Sequence, residues 1–238
     1  MADIAHPVQP IQSEAVGEAD PIPYQSVKYA RSDVKFVHLS LATYLEERRL
    51  KLGDQMRALV ENMPAGTFIA GGSVAALVNP QPIPTGYLGP VLAPADIDLF
   101  FANPTAFEGA VKLLSFVYKE MTGPRVPDGV RMFQHPIAGY LDVQAINIAW
   151  FTDGIEAVLD GFDFTATHFG IDVLAKELVF NPVAPLDYGH RRLLNHRFEG
   201  DEASKRRIAK YLAKGFHPVG ATLQRAKECG IALAGAAL

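Results

Sequence analysis

Phe68-Ile69-Ala70-Gly71-Gly72-Ser73, then Asp96-Ile97-Asp98-Leu99-Phe100, then Tyr140-Leu141-Asp142-Val143-Gln144 are the stretches whose reading decides the fold. The first reads as a buried strand that runs into a Gly-Gly-Ser turn and a helix start, where backbone N–H groups and the helix dipole favour a phosphate. The other two read as strands carrying inward carboxylates. Side chains at i and i+2 of a strand share a face, so Asp96 and Asp98 point one way while Ile97 and Leu99 enter the core. Like charges so placed repel unless a cation lies between them, and hard oxygen ligands suit Mg²⁺ or Mn²⁺. Asp142, in a segment aliphatic enough to be a neighbouring buried strand, offers a third carboxylate. Three acids of this kind can hold two ions roughly 3.5–4 Å apart, an arrangement suited to phosphoryl transfer. A D-x-D in isolation is often a turn or cap. Here Ile97, Leu99, Phe100 and Phe101 flank the pair, and unpaired acids are not left in apolar surroundings without a reason.

The order Gly-Gly-Ser, Asp-x-Asp with apolar neighbours, and a lone strand Asp resembles the DNA polymerase β nucleotidyltransferase superfamily. Phe162-Asp163-Phe164-Thr165 is similar to the Arg-Asp-Phe-Thr element of the tRNA CCA-adding and poly(A) polymerase head domain. Leu178-Val179-Phe180-Asn181-Pro182 and Arg191-Arg192-Leu193-Leu194 are similar to the hairpin ending in Asp-Pro and the basic helix that follow it there. The resemblance covers Phe68 to His196. It implies an α+β nucleotidyltransferase fold, a mixed sheet flanked by helices with a C-terminal helical appendage. It implies that Asp96, Asp98 and Asp142 are catalytic and bind Mg²⁺ or Mn²⁺. Gly71, Gly72 and Ser73 would bind the triphosphate of an NTP, ATP first among candidates, with Asp163, Arg191 and Arg192 also at the nucleotide. Two departures are plain: Val74-Ala75-Ala76 stands where CCA-adding enzymes carry Val-Arg-Asp, and Phe162 stands where they carry Arg. The Ser73–Asp96 interval is long, which reads as an inserted loop through residues 79–90. Together these point to a divergent member, of phage or viral type, with another specificity. The Lys205 to Phe216 segment, Lys-Arg-Arg-Ile-Ala-Lys-Tyr-Leu-Ala-Lys-Gly-Phe, also resembles a basic Lys-Tyr-x-x-x-Gly-Phe helix of such members.

At 238 residues and 49% hydrophobic content the chain can bury a substantial interior. No run of about 18 apolar residues could span a bilayer, and the N-terminus lacks a signal-peptide pattern, so a cytoplasmic protein without a membrane partner is expected. Cys229 is the single cysteine, which excludes an intrachain disulfide and a thiolate metal cluster. The net charge of −4 is uneven: residues 190–227 hold ten Lys or Arg against three Asp or Glu. Lys205, Arg206, Lys210 and Lys214 are therefore candidate nucleic-acid contacts, an ordinary solvated helix face being the alternative. Residues 1–25, with four Pro, four acids and no Lys or Arg, read as an extended or disordered arm, with self-association through it as its reason to order. Residues 26–183 read as the core and 184–238 as the basic helical segment.

The spacing predicts a first helix over 40–63, broken near Gly53, with Thr43 and Glu46 as a capping box. A second capping box, Thr105 and Glu108, opens a helix over 105–119. Strands are expected at 67–70, 97–101, 130–134 and 140–148, a helix at 153–159, a hairpin at 169–181 turning at Lys176-Glu177, and three short helices after it. No Walker loop or Rossmann fingerprint is present, and Ser73 lacks the last glycine of a nucleophile elbow. The histidines show no zinc spacing. The expected activity is transfer of a nucleoside monophosphate from an NTP to a hydroxyl of an RNA 3′ end, a protein or a small molecule. The alternatives are an inactive binding or structural protein of the same fold, and a metal-dependent glycosyltransferase using Asp96 and Asp98, against which the Gly-Gly-Ser turn and third acid argue.

Overall fold

The computed structural model describes residues 35–80, 94–124, 126, 129–147, 154–231 and 233. The expected arm at 1–25 and most of the expected inserted loop at 79–90 lie outside these residues. An eight-stranded mixed sheet organises the rest, in the order β1-β8-β7-β2-β3-β6-β5-β4. Its centre is β2 (Thr67–Ala70), whose four residues are all buried, paired antiparallel with β3 (Asp96–Phe101). Beyond β3 lies β6 (Asp142–Ile146), parallel to it, then β5 (Val130–Gln134) and β4 (Lys119–Met121). On the other side of β2 are β7 (Phe169–Asp172), β8 (Glu177–Phe180) and β1 (Val37–Ser40), each antiparallel to its neighbour.

Strand alternation divides the core. Ile69, Ile97, Leu99, Val143 and Ala145 turn to one face, where α1 (Leu41–Glu47), α2 (Asp54–Asn62), α3 (Gly72–Val78) and α4 (Pro104–Val117) contribute Leu41, Leu59, Val74 and Leu114. Phe68, Ala70 and Phe100 turn to the other, under Ile155, Val158 and Leu159 of α5 (Ile155–Asp160). Gly170 on β7 permits that second layer: a Cβ there would lie 2.5 Å from Ile155 Cδ1. After a 3₁₀ turn at Thr165–Thr167 and the β7–β8 hairpin come α6 (Ala184–Gly189), α7 (Glu202–Ala213) and α8 (Gly220–Glu228). A two-stranded parallel ladder of β9 (Arg192–Leu193) and β10 (His217–Pro218) ties this segment together.

The expected break near Gly53 is present: residues 48–53 separate α1 from α2, with Arg49 at φ 53° and Gly53 capping α2. Several other boundaries differ from the sequence expectation. Ser40 Oγ, not Thr43, caps α1, and Asn103 Oδ1, not Thr105, caps α4 by accepting from Ala106 N–H at 2.9 Å. Pro104 explains the earlier start, since its fixed φ and missing N–H suit the first helical position. Lys119, expected in the helix, opens edge strand β4, which Arg131 of β5 grips through both oxygens of Glu120 at 2.6 Å. The hairpin turns over Val173–Lys176, with Lys176 at φ 55°.

Candidate active site

The β2–β3 register sets Ala70 beside Asp98, so the turn leaving β2 runs past the acidic end of β3. Gly71 takes φ 91°, a backbone region that side chains rarely adopt, and its N–H donates to Phe169 O at 2.9 Å. α3 begins at once with Gly72 and Ser73. Ser73 Oγ is buried and has no hydrogen-bond partner among the described residues. A polar group so placed is stabilised when a ligand supplies the missing bond.

Asp96 and Asp98 share the face that carries Phe100, as the i, i+2 alternation requires. Burial first, then the adjacent Asp96, raise the carboxyl of Asp98 to about 7, while Lys210 pulls it the other way. Asp96 Oδ2 accepts from Gln144 Nε2 at 2.8 Å and faces Lys210 Nζ at 3.9 Å. Asp142 lies on the same face, since β3 and β6 are parallel and pair Asp96 with Asp142 and Asp98 with Gln144. Next to Asp98 the third position is thus an amide. Among the described residues no three His, Cys, Asp or Glu side chains converge to hold a metal ion. Within the expected trio, Asp142 adjoins Asp96 across the β3–β6 register, and Gln144 adjoins Asp98. The pair still fits a hard divalent cation, because its oxygens are anionic and the ionised form of Asp98 is penalised as it stands.

The basic side chains come from α7. Helical spacing places Arg206, Lys210 and Lys214 on one stripe, as expected, and its Lys210 end reaches the acids while keeping solvent contact. Burial, and then Lys210, depress the Lys214 ammonium, with Asp96 opposing. Lys205 pairs with Glu202 at 2.9 Å. Arg207 reaches Asp163 with Nε at 2.6 Å and Nη2 at 3.1 Å. Asp163, buried, caps no helix; it anchors α7 against the cleft. Arg192 is likewise committed, donating to fully buried Asp187 at 2.6 and 3.0 Å, and Thr165 Oγ1 donates to the same carboxylate. Arg191 sits at φ 53° beside Tyr188. Sequence reasoning placed Arg207 among the basic residues of this helix and Tyr211 among its aromatics, but assigned neither to the acidic cleft; burial, Asp98 and Asp96 hold the Tyr211 hydroxyl above its ordinary range.

A cleft of about 290 Å³ joins these parts, lined by Gly71, Gly72, Asp98, Phe162, Arg207 and Lys210. Phe162 meets the cleft where the resembled motif has Arg, so the positive charge there is delivered by α7 instead.

No family model matches the chain, and no curated protein does. Solved structures do. A Thermotoga maritima CCA-adding enzyme complexed with tRNA is similar at TM-score 0.54 and 16% identity, over 81% of this chain and 45% of that one. A CCA-adding enzyme with CTP gives 0.55 and 16%, over 81% and 47%, and one with ATP gives 0.54 and 17%, over 82% and 46%. The chain therefore spans somewhat under half the length of the structures it matches. What it has in common with them is the fold.

Proposed function

We propose that this chain is a Mg²⁺-dependent nucleotidyltransferase that moves a nucleoside monophosphate from an NTP, ATP first, to a hydroxyl. One observation carries the reading: two carboxylates adjoin on one face of β3, beside a glycine turn, with Asp98 raised to about 7 by burial and Asp96. Such a pair is costly in a protein that does not use it. Asp96 and Asp98 would hold Mg²⁺, with Asp142 the nearest further acid; the ion would supply charge to the phosphates and acidify the attacking hydroxyl.

The chain's own groups account for binding and orientation. Backbone N–H groups of Gly72 and Ser73, and the Ser73 hydroxyl, meet phosphate oxygens. Lys210 and Lys214 neutralise the triphosphate in a cleft partly shielded from water, where fixed charges act strongly. The acceptor oxygen forms a bond to the α-phosphorus, the bond to the β-phosphate oxygen breaks, pyrophosphate leaves, and the hydroxyl proton passes to solvent. An RNA 3′ end is the favoured acceptor, supported by the tRNA-bound neighbour and by the basic C-terminal segment.

The amide at Gln144, beside Asp98, favours a second reading, a binding protein that keeps the fold. One experiment separates the two. The protein is incubated with each α-labelled NTP, Mg²⁺ and either total RNA or cell protein. Transfer predicts label in the RNA fraction with pyrophosphate released. Label in the protein fraction would move the acceptor to a protein hydroxyl, and neither label nor pyrophosphate would leave the binding protein.

A further inference from the structure

Phe162 occupies an unusual position. It is half-buried in the wall of the cleft that holds Asp98, Lys210 and Arg207. A Cβ built on Gly71 would lie 3.8 Å from Asp98 Oδ2 and 3.8 Å from Phe162 Cε2 and Cζ, so the ring edge and the carboxylate approach the same point of the turn. The ring has two aromatic neighbours among the described residues. Phe100 lies 5.7 Å away at 56° and His168 lies 6.3 Å away at 60°. Neither is parallel to it, so neither forms a face-to-face stack with it. Ile146 and Phe164 add apolar lining, and the Asp163–Arg207 pair adds a carboxylate and a guanidinium within the same cleft.

We propose that Phe162 is the stacking platform for the base of the bound nucleotide, with Asp163 and Arg207 placed to meet the polar edge of that base. The proposal rests on the reading of this cleft as a nucleotide site and goes further, assigning its apolar part. A ligand that fits the whole cleft needs an anionic portion for Lys210 and a flat, weakly polar portion for the ring, and a nucleoside triphosphate has both. Base–aromatic stacking tolerates any base, since every base offers a π-face, so Phe162 would give affinity while the Asp163–Arg207 pair would give preference among bases.

The test compares ATP with ribose 5-triphosphate, which keeps the sugar and phosphates and lacks the base, by calorimetric titration with Mg²⁺ present. The unmodified protein should bind ATP the more tightly. Phe162→Ala should weaken ATP roughly ten- to hundred-fold and leave ribose 5-triphosphate unchanged, the latter also showing that the site remains folded. Phe162→Leu should behave like Phe162→Ala despite its bulk. Phe162→Trp should keep ATP affinity and show indole fluorescence quenched by ATP but not by ribose 5-triphosphate. Equal affinity of the unmodified protein for the two ligands, or equal losses for both in Phe162→Ala, would overturn the base platform and leave the phosphate site standing. Failure of the unmodified protein to bind either ligand would overturn both.

Discussion

Removing the charge of Asp98 should stabilise the metal-free protein, and the effect should depend on pH in a defined way. In the folded state burial and Asp96 raise this carboxyl from 3.8 to about 7. A carboxyl whose folded pKa is raised contributes stability in full below its unfolded value. That contribution is lost as the pH rises through the folded value, because the unfolded state ionises freely while the folded state does not. Three units correspond to about 4 kcal/mol at most. Asp98 keeps some solvent contact, and screening there reduces the expected penalty to about 1–2 kcal/mol. Asp98→Asn, nearly isosteric and able to donate to Asp96, should therefore melt roughly 3–6 °C above the unmodified protein at pH 8. The difference should shrink through the pH 4–7 window and vanish at its acid end. Millimolar Mg²⁺ should raise the unmodified protein toward the variant by mass action and leave Asp98→Asn unmoved. Differential scanning fluorimetry across pH 4–9, with Mg²⁺ or EDTA, reads all of this. A variant as stable as or less stable than the parent at pH 8 would refute the reasoning, because Asp98 would then be ionised without penalty and the pair would have no need of a cation.

Arg207→Ala should lower stability by about 1–3 kcal/mol in urea melts, below the full penalty for breaking a buried pair because the Arg207 side chain is 50% exposed while that of Asp163 is 6% exposed; a change under about 0.5 kcal/mol would mean that Asp163 does not anchor α7. Arg192→Ala should cost about 2–4 kcal/mol, since it strips the cation from fully buried Asp187, and the loss should appear in the melt and not in ATP affinity of the folded protein. A selective loss of ATP binding would instead restore Arg192 to the nucleotide. His38, bridged by Glu177 and then Glu156, should titrate above 6.5 by NMR. Its small stabilising effect should be present below pH 6.5 and fade as the pH rises through the folded value; a titration at or below 6.5 would show that neither glutamate bridge persists in solution.

The central strands were legible because each is bounded by punctuation the chain cannot ignore. β2 ends at Gly71, β3 is an apolar run around two acids, and β5 sits between Gly129 and Pro136. The edges were not: Leu39 on β1 is exposed, and β4 follows α4 with no breaker between them. The caps Ser40 and Asn103 were missed because an i, i+3 pair of Thr and Glu also occurs inside each helix, and only the backbone decides between them. At the site, alternation gave the shared face of Asp96 and Asp98 directly. The position of Asp142 depended on the β3–β6 register, which pairs it with Asp96 and leaves Gln144 next to Asp98. Local spacing could not show that Arg207 meets Asp163 or that Lys210 meets Asp96. Those contacts exist only once α7 docks on the finished sheet.

The proposed transfer depends most on Asp96 and Asp98 forming a site for a hard divalent cation at the nucleotide. Electron paramagnetic resonance of Mn²⁺, titrated into the protein with and without ATP, measures that occupancy directly. The account predicts saturable Mn²⁺ binding that ATP strengthens, that Mg²⁺ displaces, and that Asp96→Asn and Asp98→Asn each abolish while the fold persists. Mn²⁺ binding that is absent from the unmodified protein at saturating ATP, or unchanged in either variant, would contradict it.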